Sequence, residues 1–238
     1  MIKALSQDLR NKIAAGEVVE GPSSIVKELI ENSLDAGSSE ILIVVEKGGQ
    51  GLIQVRDNGK GIPPEELSLS ILRFHTSKIN SLEDLFSIET LGFRGEALSS
   101  ISSVSEMSII SSCGNNDGAE LKMLKGNPGS IQPAASINGT EITIRNLFYN
   151  TPARRKFLKT PRTELRKVVD VVRRYGLAFP EVQFKLMADN RTIFQVNAEK
   201  LEERIDNLLD PTYSRNLLPI NIVKGDYSFS GFTGNLNL

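Results

Sequence analysis

The sequence has little of several residue types on which common protein chemistries depend. It contains one cysteine, one histidine and no tryptophan in 238 residues. The single cysteine, Cys113, excludes an internal disulfide framework and a thiolate zinc cluster, and it fits a reducing compartment such as the cytoplasm. His75 is the one histidine on which a Ser-His-Asp triad could be built, and a lone histidine is more often structural or exposed, so we assign it no catalytic role.

Long apolar runs and the commonest nucleotide-binding motif are also missing. The longest conspicuous run, at 41–45, is far shorter than the roughly 20 residues of a membrane-spanning helix, so no membrane partner is predicted. The N-terminal segment lacks the apolar stretch of a signal peptide. There is no GxxxxGK[ST] phosphate loop, no kinase catalytic set and no GxSxG motif, which excludes P-loop NTPases, protein kinases and serine hydrolases of that type. Apolar residues still make up 39% of the chain, enough to form a globular core.

Charge is unevenly distributed although its sum is only −1. Between Arg154 and Arg174, nine basic residues stand against two acidic ones. A helix predicted at 161–175 would place apolar side chains on one face and arginines on another. The arginine face is either a surface for DNA phosphates or the solvated side of an ordinary amphipathic helix, and the helix alone favours neither. The candidate DNA contacts are Arg154, Arg155, Lys159, Arg162, Arg166 and Arg173.

Helix and strand patterns are interspersed along the chain and predict a mixed fold with two parts. Helices are predicted at 7–15, from Pro22 to a stop at Gly37, and at 65–74, 97–101, after Pro152, 161–175 and 198–209. Strands are predicted at 41–45, 52–55, 104–111, 119–124, 141–145, 184–188, 192–196, 217–223 and 227–232. Prolines 211 and 219 mark a boundary. We therefore expect one domain over 1–210 and the start of a second over 211–238, because two strands do not form a stable domain alone.

The most informative helix is the one that follows Pro22. Glu28 and Asn32 are four residues apart and therefore project from the same face. An amide oxygen is a suitable ligand for magnesium, and a carboxylate beside it can accept a proton from an attacking water. Glu31 points elsewhere and is expected to pair with Lys27 on the surface. From this helix alone, a solvated charged face remains the simpler interpretation.

Three further motifs carry polar groups and glycines at turns. Asp57 precedes Gly59 and Gly61, where it could accept a hydrogen bond from an exocyclic amine. Residues 92–98 combine glycines with Arg94 before a helix start, a setting that suits phosphate oxygens, and residues 75–78 add hydroxyls and an ammonium. Residues 138–142 open a strand at Thr140. Each motif alone is equally an ordinary turn.

Together and in this order, the motifs KELIENSLDAG, RDNGKGI, LGFRGEAL and NGTEI resemble the GHKL ATPase superfamily. NKIAAGEVVE and LFYNTPARRKFLK are more specifically similar to MutL-type DNA mismatch-repair proteins. The resemblance covers nearly the whole chain. It implies an α+β Bergerat-type fold, a two-layer sandwich in which a mixed, mostly antiparallel sheet carries helices on one face, followed by the start of a second α/β domain.

The resemblance also implies a role for each matching position. Glu28 corresponds to the general base, Asn32 to the magnesium ligand and Asp57 to the carboxylate that holds the adenine amine. The segment at 76–78 corresponds to a lid over the nucleotide. The residues it assigns to ATP are Asn32, Asp57, Gly59, Gly61, Thr76, Ser77, Lys78, Gly92, Phe93, Arg94, Gly95, Glu96, Ala97, Leu98 and Thr140.

The family function gives a full set of expectations. The resemblance implies magnesium-dependent ATP hydrolysis, an ATP-dependent homodimer that clamps DNA, and coupling of a MutS-type mismatch-recognition protein to downstream factors, with a helicase or a nicking endonuclease as candidates. A cytoplasmic, nucleoid-associated location follows from this. The alternative is a nucleotide-binding interaction module with negligible turnover, because the family takes a γ-phosphate lysine from its second domain and no candidate for it is visible here. A sensor kinase is disfavoured, since no phosphoacceptor helix is visible.

Overall fold

The computed structural model describes residues 3–4, 15–16, 18–79, 81, 83–114, 117–124, 127–209 and 214–235. The described helices are α1 (Pro22–Asp35), α2 (Pro64–Ser70), α3 (Ala97–Ser103), α4 (Pro152–Phe157), α5 (Pro161–Ala178) and α6 (Leu201–Leu208). The strands are β1 (Glu40–Glu46), β2 (Leu52–Asp57), β3 (Glu106–Ser112), β4 (Gly118–Leu124), β5 (Asn127–Pro128), β6 (Gln132–Ala134), β7 (Gly139–Arg145), β8 (Gln183–Ala188), β9 (Arg191–Val196), β10 (Leu217–Lys224) and β11 (Tyr227–Gly234). Single-turn 3-10 helices lie at Lys47–Gly49 and Glu83–Phe86.

One mixed sheet organises most of the described chain. Its strands run in the order β5-β4-β3-β7-β2-β1-β8-β9, and β6 pairs with β4. Strand β1 is parallel to β8, whereas the other recorded pairs in this sheet are antiparallel. The predicted mixed, mostly antiparallel sheet is confirmed.

The strands align their apolar residues in rows, so one face of the sheet is buried. One such row crosses six strands because each residue is the direct register partner of the next. All of its members are at most 7% exposed, and they are Leu186, Ile43, Val55, Ile142, Ile109 and Leu121. The alternate residues, which point to the other face of the sheet, are more polar. Gln54, for example, lies opposite Thr143. This alternation is the period-two pattern of a sheet with one packed face.

Helices α1 and α5 pack together over the buried face. Helix α1 contacts β1 and β2 with Ile25, Val26, Leu29 and Ile30, and α5 contacts β8 and contributes Val168 and Val172 to the same core. Helix α1 begins at Pro22 and is followed by Gly37 in the left-handed region, with φ of 74°, as its sequence predicts. The predicted α+β class, with helices layered on the sheet, is confirmed.

The β1–β2 turn is held close to the start of α5. Gly48 has a φ of 66°, and a Cβ placed on it would lie 2.2 Å from the carbonyl oxygen of Pro161. A side chain at Gly48 is therefore excluded by both the backbone conformation and the neighbouring backbone. The close approach fixes the basic N-terminal end of α5 against the edge of the two-layer sandwich.

Some predicted boundaries were wrong. The helix predicted at 65–74 is α2, which ends at Ser70, because the chain turns and Phe74 adopts a left-handed φ of 60°. The helix predicted at 198–209 begins only at Leu201. Strands β5 and β6 were not predicted, since segments of two and three residues containing proline carry no periodic signal. The helix predicted at 7–15 lies outside the described residues except for Ala15.

Strands β10 and β11 form a separate two-stranded antiparallel sheet. Their large apolar side chains are well exposed in this structure, including Ile222, Val223, Tyr227 and Phe229. Among the helices in the described ranges, none is long and apolar enough to cross a membrane.

Candidate nucleotide site

A cavity of about 1370 Å³ opens beside α1 and brings all four predicted motifs together. Glu28 and Asn32 both line it, which confirms that the two side chains share one helical face. The predicted ATP residues in its wall are Asn32, Asp57, Gly61, Thr76, Ser77, Lys78, Gly92, Phe93, Arg94, Gly95, Glu96, Ala97, Leu98 and Thr140. Residues that are far apart in sequence thus surround a single space large enough for a nucleotide.

Asp57 lies at the inner end of the cavity, where β2 ends. Its side chain is buried and accepts hydrogen bonds from Ser33 Oγ at 2.8 Å, from the Gly59 N–H at 2.9 Å and from the Thr140 N–H at 3.3 Å. A carboxylate offers about four acceptor positions, so one position remains for a further donor. The arrangement suits an exocyclic amine at this end of the cavity.

The two glycines after Asp57 have different roles. Gly61 lines the cavity with a φ of 73°, and a Cβ there would lie 2.1 Å from the Ser112 carbonyl oxygen. Gly59 is not among the lining residues, and a Cβ on it would lie 2.7 Å from Ser38 Oγ and 2.8 Å from Ala36 Cβ. Gly61 therefore shapes the cavity wall directly, whereas Gly59 allows the turn to pack against the end of α1.

Lys78 connects the predicted lid to α1. Its ammonium lies 2.8 Å from Asn32 Oδ1 and 2.6 Å from Asp35 Oδ2. Asp35 also accepts hydrogen bonds from the N–H groups of Leu91 and Gly92, at 2.9 and 3.1 Å. One buried carboxylate thus holds both ends of the segment between Lys78 and Gly92.

The 92–98 segment, which is suited to phosphate, packs against residues 74 and 75, just before the predicted lid. The Phe74 N–H donates to the Gly95 carbonyl at 3.0 Å, and a Cβ on Gly95, whose φ is 61°, would lie 2.5 Å from the His75 carbonyl oxygen. The Arg94 guanidinium lies 5.7 Å from the centre of the Phe93 ring. The glycine at position 95 is required for this close approach, as its motif suggests.

Glu31 differs from its predicted surface position. It does pair with Lys27, at 2.9 Å, but it is buried and accepts a second hydrogen bond from the Tyr175 hydroxyl on α5 at 2.5 Å. Burial and this bond to Glu31 raise the pKa of Tyr175 above its ordinary value, so the phenol stays protonated. Burial alone would lower the pKa of Lys27, but its bonds to Glu31 and Glu28 outweigh that effect and raise it.

The predicted DNA contacts occupy α4, α5 and the link between them. Arg155, Lys159, Arg162, Arg166 and Arg173 are exposed. Arg154 is only partly exposed, since its guanidinium stacks 4.3 Å from the centre of the Phe148 ring and donates to the Val19 carbonyl. Burial lowers the pKa of Arg154. Arg154 therefore anchors α4 to the core, and the other five form the exposed basic surface.

Three residues of the site were missed from the sequence. Ser33 orients Asp57, Asp35 holds Lys78 and the backbone at 91–92, and Tyr175 supports Glu31. Asp35 lies in a motif that was quoted for the family resemblance and could have been singled out there. Ser33 and Tyr175 carry no local signal, because their roles depend on how α1 packs against β2 and α5.

Comparisons with known proteins agree with this architecture. Residues 20–127 match the family described as histidine kinase-, DNA gyrase B- and HSP90-like ATPase. The chain is 44% identical to the DNA mismatch repair protein MutL of Geotalea daltonii, over 98% of this chain and 39% of that protein. It is 45% identical to MutL of Staphylococcus aureus, over 97% of this chain and 35% of that protein. The chain thus spans about two fifths of the length of these relatives.

Solved structures of a MutL ATPase domain are also similar to this chain. The Aquifex aeolicus MutL ATPase domain complexed with ADP superimposes with a TM-score of 0.68 at 32% identity, covering 86% of this chain and 73% of that chain. A second structure, of the ATPase domain from the bacterial mismatch repair endonuclease Aquifex aeolicus MutL, gives a TM-score of 0.70 at 30% identity and covers 91% of this chain and 73% of that chain. With this fold, this cavity and this identity over most of both chains, the protein belongs to the MutL family of DNA mismatch repair proteins.

Proposed function

We propose that the chain binds ATP with magnesium and hydrolyses it, as the ATPase region of a mismatch repair protein. The observation that carries the proposal is the convergence of Glu28, Asn32 and Asp57 on one cavity that the 92–98 segment also lines. A solved relative is complexed with ADP, which supports a nucleotide as the occupant. The adenine amine would meet Asp57 beside Thr140, and the phosphates would lie towards the N–H groups of the 92–98 segment.

Magnesium fits the donors at the phosphate end. Asn32 Oδ1 and Asp35 Oδ2 both contact the Lys78 ammonium, so two hard oxygen atoms already face one positive charge. Magnesium is commonly bound by one or two protein oxygen atoms together with phosphate oxygens, and an amide such as that of Asn32 can supply one of them. Bound magnesium would offset negative charge on the transferring phosphoryl group. Lys78 must leave Asn32 before the amide oxygen can serve as a ligand.

Glu28 is the proposed general base. Its carboxylate lines the cavity, one helical turn before Asn32, and accepts a hydrogen bond from Lys27 Nζ at 3.2 Å. In that position it can accept a proton from a water aligned with the scissile phosphorus–oxygen bond. The water attacks directly, so no covalent enzyme intermediate forms, and the terminal phosphate leaves with ADP as the other product.

The variant Glu28→Ala tests the proposal most directly. We expect phosphate release to fall by about 100- to 10,000-fold, the usual contribution of a general base, with ATP affinity by calorimetry nearly unchanged. Asn32→Ala should instead remove the magnesium dependence of binding. Glu202→Ala, an exposed change on α6, is the control and should hydrolyse ATP normally. Normal turnover in Glu28→Ala would contradict the assigned base, whereas ATP binding without turnover in the unchanged chain would favour a nucleotide-gated interaction module.

DNA, other repair proteins and a second copy of the chain are the proposed partners. The exposed basic surface of Arg155, Lys159, Arg162, Arg166 and Arg173 supports contact with DNA phosphates without sequence preference. Family membership supports a MutS-type mismatch-recognition protein, an ATP-dependent homodimer and downstream factors such as a helicase or a nicking endonuclease.

We also propose a cytoplasmic, nucleoid-associated location. The separate β10–β11 sheet supports domains at 1–210 and 211–238.

A further inference from the structure

Four polar side chains join α5 to the proposed base on α1. The Tyr175 hydroxyl donates to Glu31 Oε1 at 2.5 Å. The other oxygen of that carboxylate, Oε2, accepts a bond from Lys27 Nζ at 2.9 Å. Lys27 Nζ lies in turn 3.2 Å from Glu28 Oε1. The series Tyr175, Glu31, Lys27 and Glu28 is therefore continuous, and each link is a hydrogen bond or an ion pair.

Glu31 depends on both of its neighbours. Its side chain is only 10% exposed, and an ionised carboxylate at such a position must be compensated by donors. The pKa of Tyr175 is raised, first by burial and then by the bond to Glu31, so the phenol remains a donor at neutral pH. With Oε1 bound to Tyr175, the carboxylate cannot rotate freely, and Oε2 stays directed at Lys27.

The position of Lys27 affects how well Glu28 can accept a proton. An ammonium that bonds to a carboxylate holds its oxygen away from a substrate water. Lys27 is shared between two carboxylates, and its bond to Glu31 is the shorter one. Glu31 thus shares the ammonium with Glu28 and makes the shorter contact to it, which requires that Glu31 itself is held in place.

We propose that Tyr175 is a positioning residue for Glu28, acting through Glu31 and Lys27. The inference rests on the proposed role of Glu28 as the base. Tyr175 lies on α5, does not line the nucleotide cavity and donates its hydroxyl hydrogen bond to Glu31. Its hydroxyl fixes Glu31, and Glu31 holds the Lys27 ammonium at the shorter of its two carboxylate contacts, which sets the position of Lys27 beside Glu28.

The variant Tyr175→Phe removes the hydroxyl and keeps the ring. The ring stacks on Phe179 at a centroid distance of 6.3 Å, and phenylalanine preserves that contact. We expect kcat for ATP hydrolysis to fall by about two- to tenfold, the range of one lost hydrogen bond, with KM for ATP unchanged. Tyr227→Phe removes an exposed hydroxyl on β11 and is the matched control, with no change in either constant.

A double-mutant cycle with Lys27→Met separates positioning from a structural role. If Tyr175 acts through Lys27, Tyr175→Phe has no further effect on kcat once Lys27 is methionine. A structural role would instead lower kcat by the same factor in both backgrounds, and this additive result would overturn the inference. Thermal unfolding of each variant shows that the comparison is made between folded proteins.

Glu28→Ala, measured in the same assay of phosphate release, distinguishes failure of the inference from failure of the proposed function. Loss of turnover in Glu28→Ala together with wild-type kcat in Tyr175→Phe would overturn only the positioning role. Normal turnover in Glu28→Ala, or no turnover in the unchanged chain, would overturn both. Loss in Glu28→Ala, a reduced kcat in Tyr175→Phe and no additional loss in the double variant would support the inference.

Discussion

At the scale of single residues, Asp57 joins three segments of the chain through one carboxylate. Ser33 on α1, Gly59 after β2 and Thr140 in β7 all donate to it. These donors fix the orientation of the side chain before any nucleotide arrives. The remaining acceptor position can therefore distinguish an amine, which donates, from a carbonyl oxygen, which does not.

Asp57→Asn is expected to weaken the preference of this position for an amine over a carbonyl oxygen. The amide replaces one acceptor oxygen with a donor NH2, which cannot bind the adenine amine but can bind the carbonyl oxygen of guanine. We expect ATP affinity to fall by about 10- to 100-fold, in line with about 1.5–3 kcal/mol for a hydrogen bond to a charged group, and the preference for ATP over GTP to narrow. Calorimetry with both nucleotides measures this, and unchanged ATP affinity would contradict the assignment. Asp226→Asn, in the exposed β10–β11 turn, is the control.

The residues with a proposed chemical role could be identified from the sequence. The residues that support them were not identified from it. Glu28 and Asn32 share a face because of helical spacing alone, and the structure places both in the cavity wall. The contact between Tyr175 and Glu31 joins residues 144 positions apart, and it depends on the packing of α5 on α1. No local pattern specifies which face of one helix meets another, so this contact could not be predicted.

At the scale of secondary-structure elements, α6 is attached to the domain by the buried apolar residues Ile205 and Leu208 and by one buried arginine. Arg204 is fully buried. Its guanidinium donates to the carbonyl oxygens of Gly176, Phe179, Pro180, Val182 and Asn197 and pairs with Glu199 at 2.7 Å. These carbonyls belong to the end of α5 and to the segments before β8 and after β9. Arg204 thus satisfies backbone groups that would otherwise be buried without donors.

Arg204→Met should destabilise the fold strongly while keeping the side-chain volume similar. Several buried carbonyls and Glu199 lose their donor together, so we expect a loss of about 3–5 kcal/mol in the free energy of unfolding. Urea denaturation measures it, and the exposed substitution Arg191→Met on β9 should stay within about 0.5 kcal/mol of the unchanged protein. A loss of similar size in both variants would show that Arg204 has no special role.

Elements were predicted well where local rules dominate. The strands predicted at 184–188 and 192–196 form the β8–β9 hairpin, which turns on Asp189 and Asn190 with φ values of 47° and 63° that suit a two-residue turn. Helix α2 was predicted to be too long. The apolar pattern continues past Ser70, but the helical backbone conformation ends there. The residues after α2 contact the 92–98 segment instead, through the bond from Phe74 to Gly95.

At the scale of the whole molecule, charge is concentrated on one side of α4 and α5. The chain has a net charge of −1, yet Arg162, Arg166 and Arg173 are all exposed on α5 while Val168 and Val172 of the same helix are buried. A polyanion is attracted to such a surface by the release of counterions, and its affinity falls as salt rises. The distribution of charge, and not its sum, gives the chain a surface suited to a polyanion.

Reversal of these three charges should weaken DNA binding in a salt-dependent way. For the triple change of Arg162, Arg166 and Arg173 to glutamate, we expect the slope of log affinity against log salt to shrink by about three or more. Fluorescence anisotropy with duplex DNA of unrelated sequences measures the slope. The control reverses three exposed charges elsewhere, at Lys122, Arg191 and Lys224. Equal losses in the two triple variants would mean that net charge alone controls binding.

The parallel pairing of β1 with β8 has a consequence for synthesis of the chain. Each strand of that pair lies in a different hairpin, and the Lys47 N–H bonds to Asp189 across 142 residues of sequence. While the ribosome is still making the segment between the two hairpins, one backbone edge of β1 has no partner. An unpaired apolar edge is a template for association with other nascent chains. The folding of this domain is therefore most vulnerable to aggregation during translation, until the β8–β9 hairpin emerges and covers that edge.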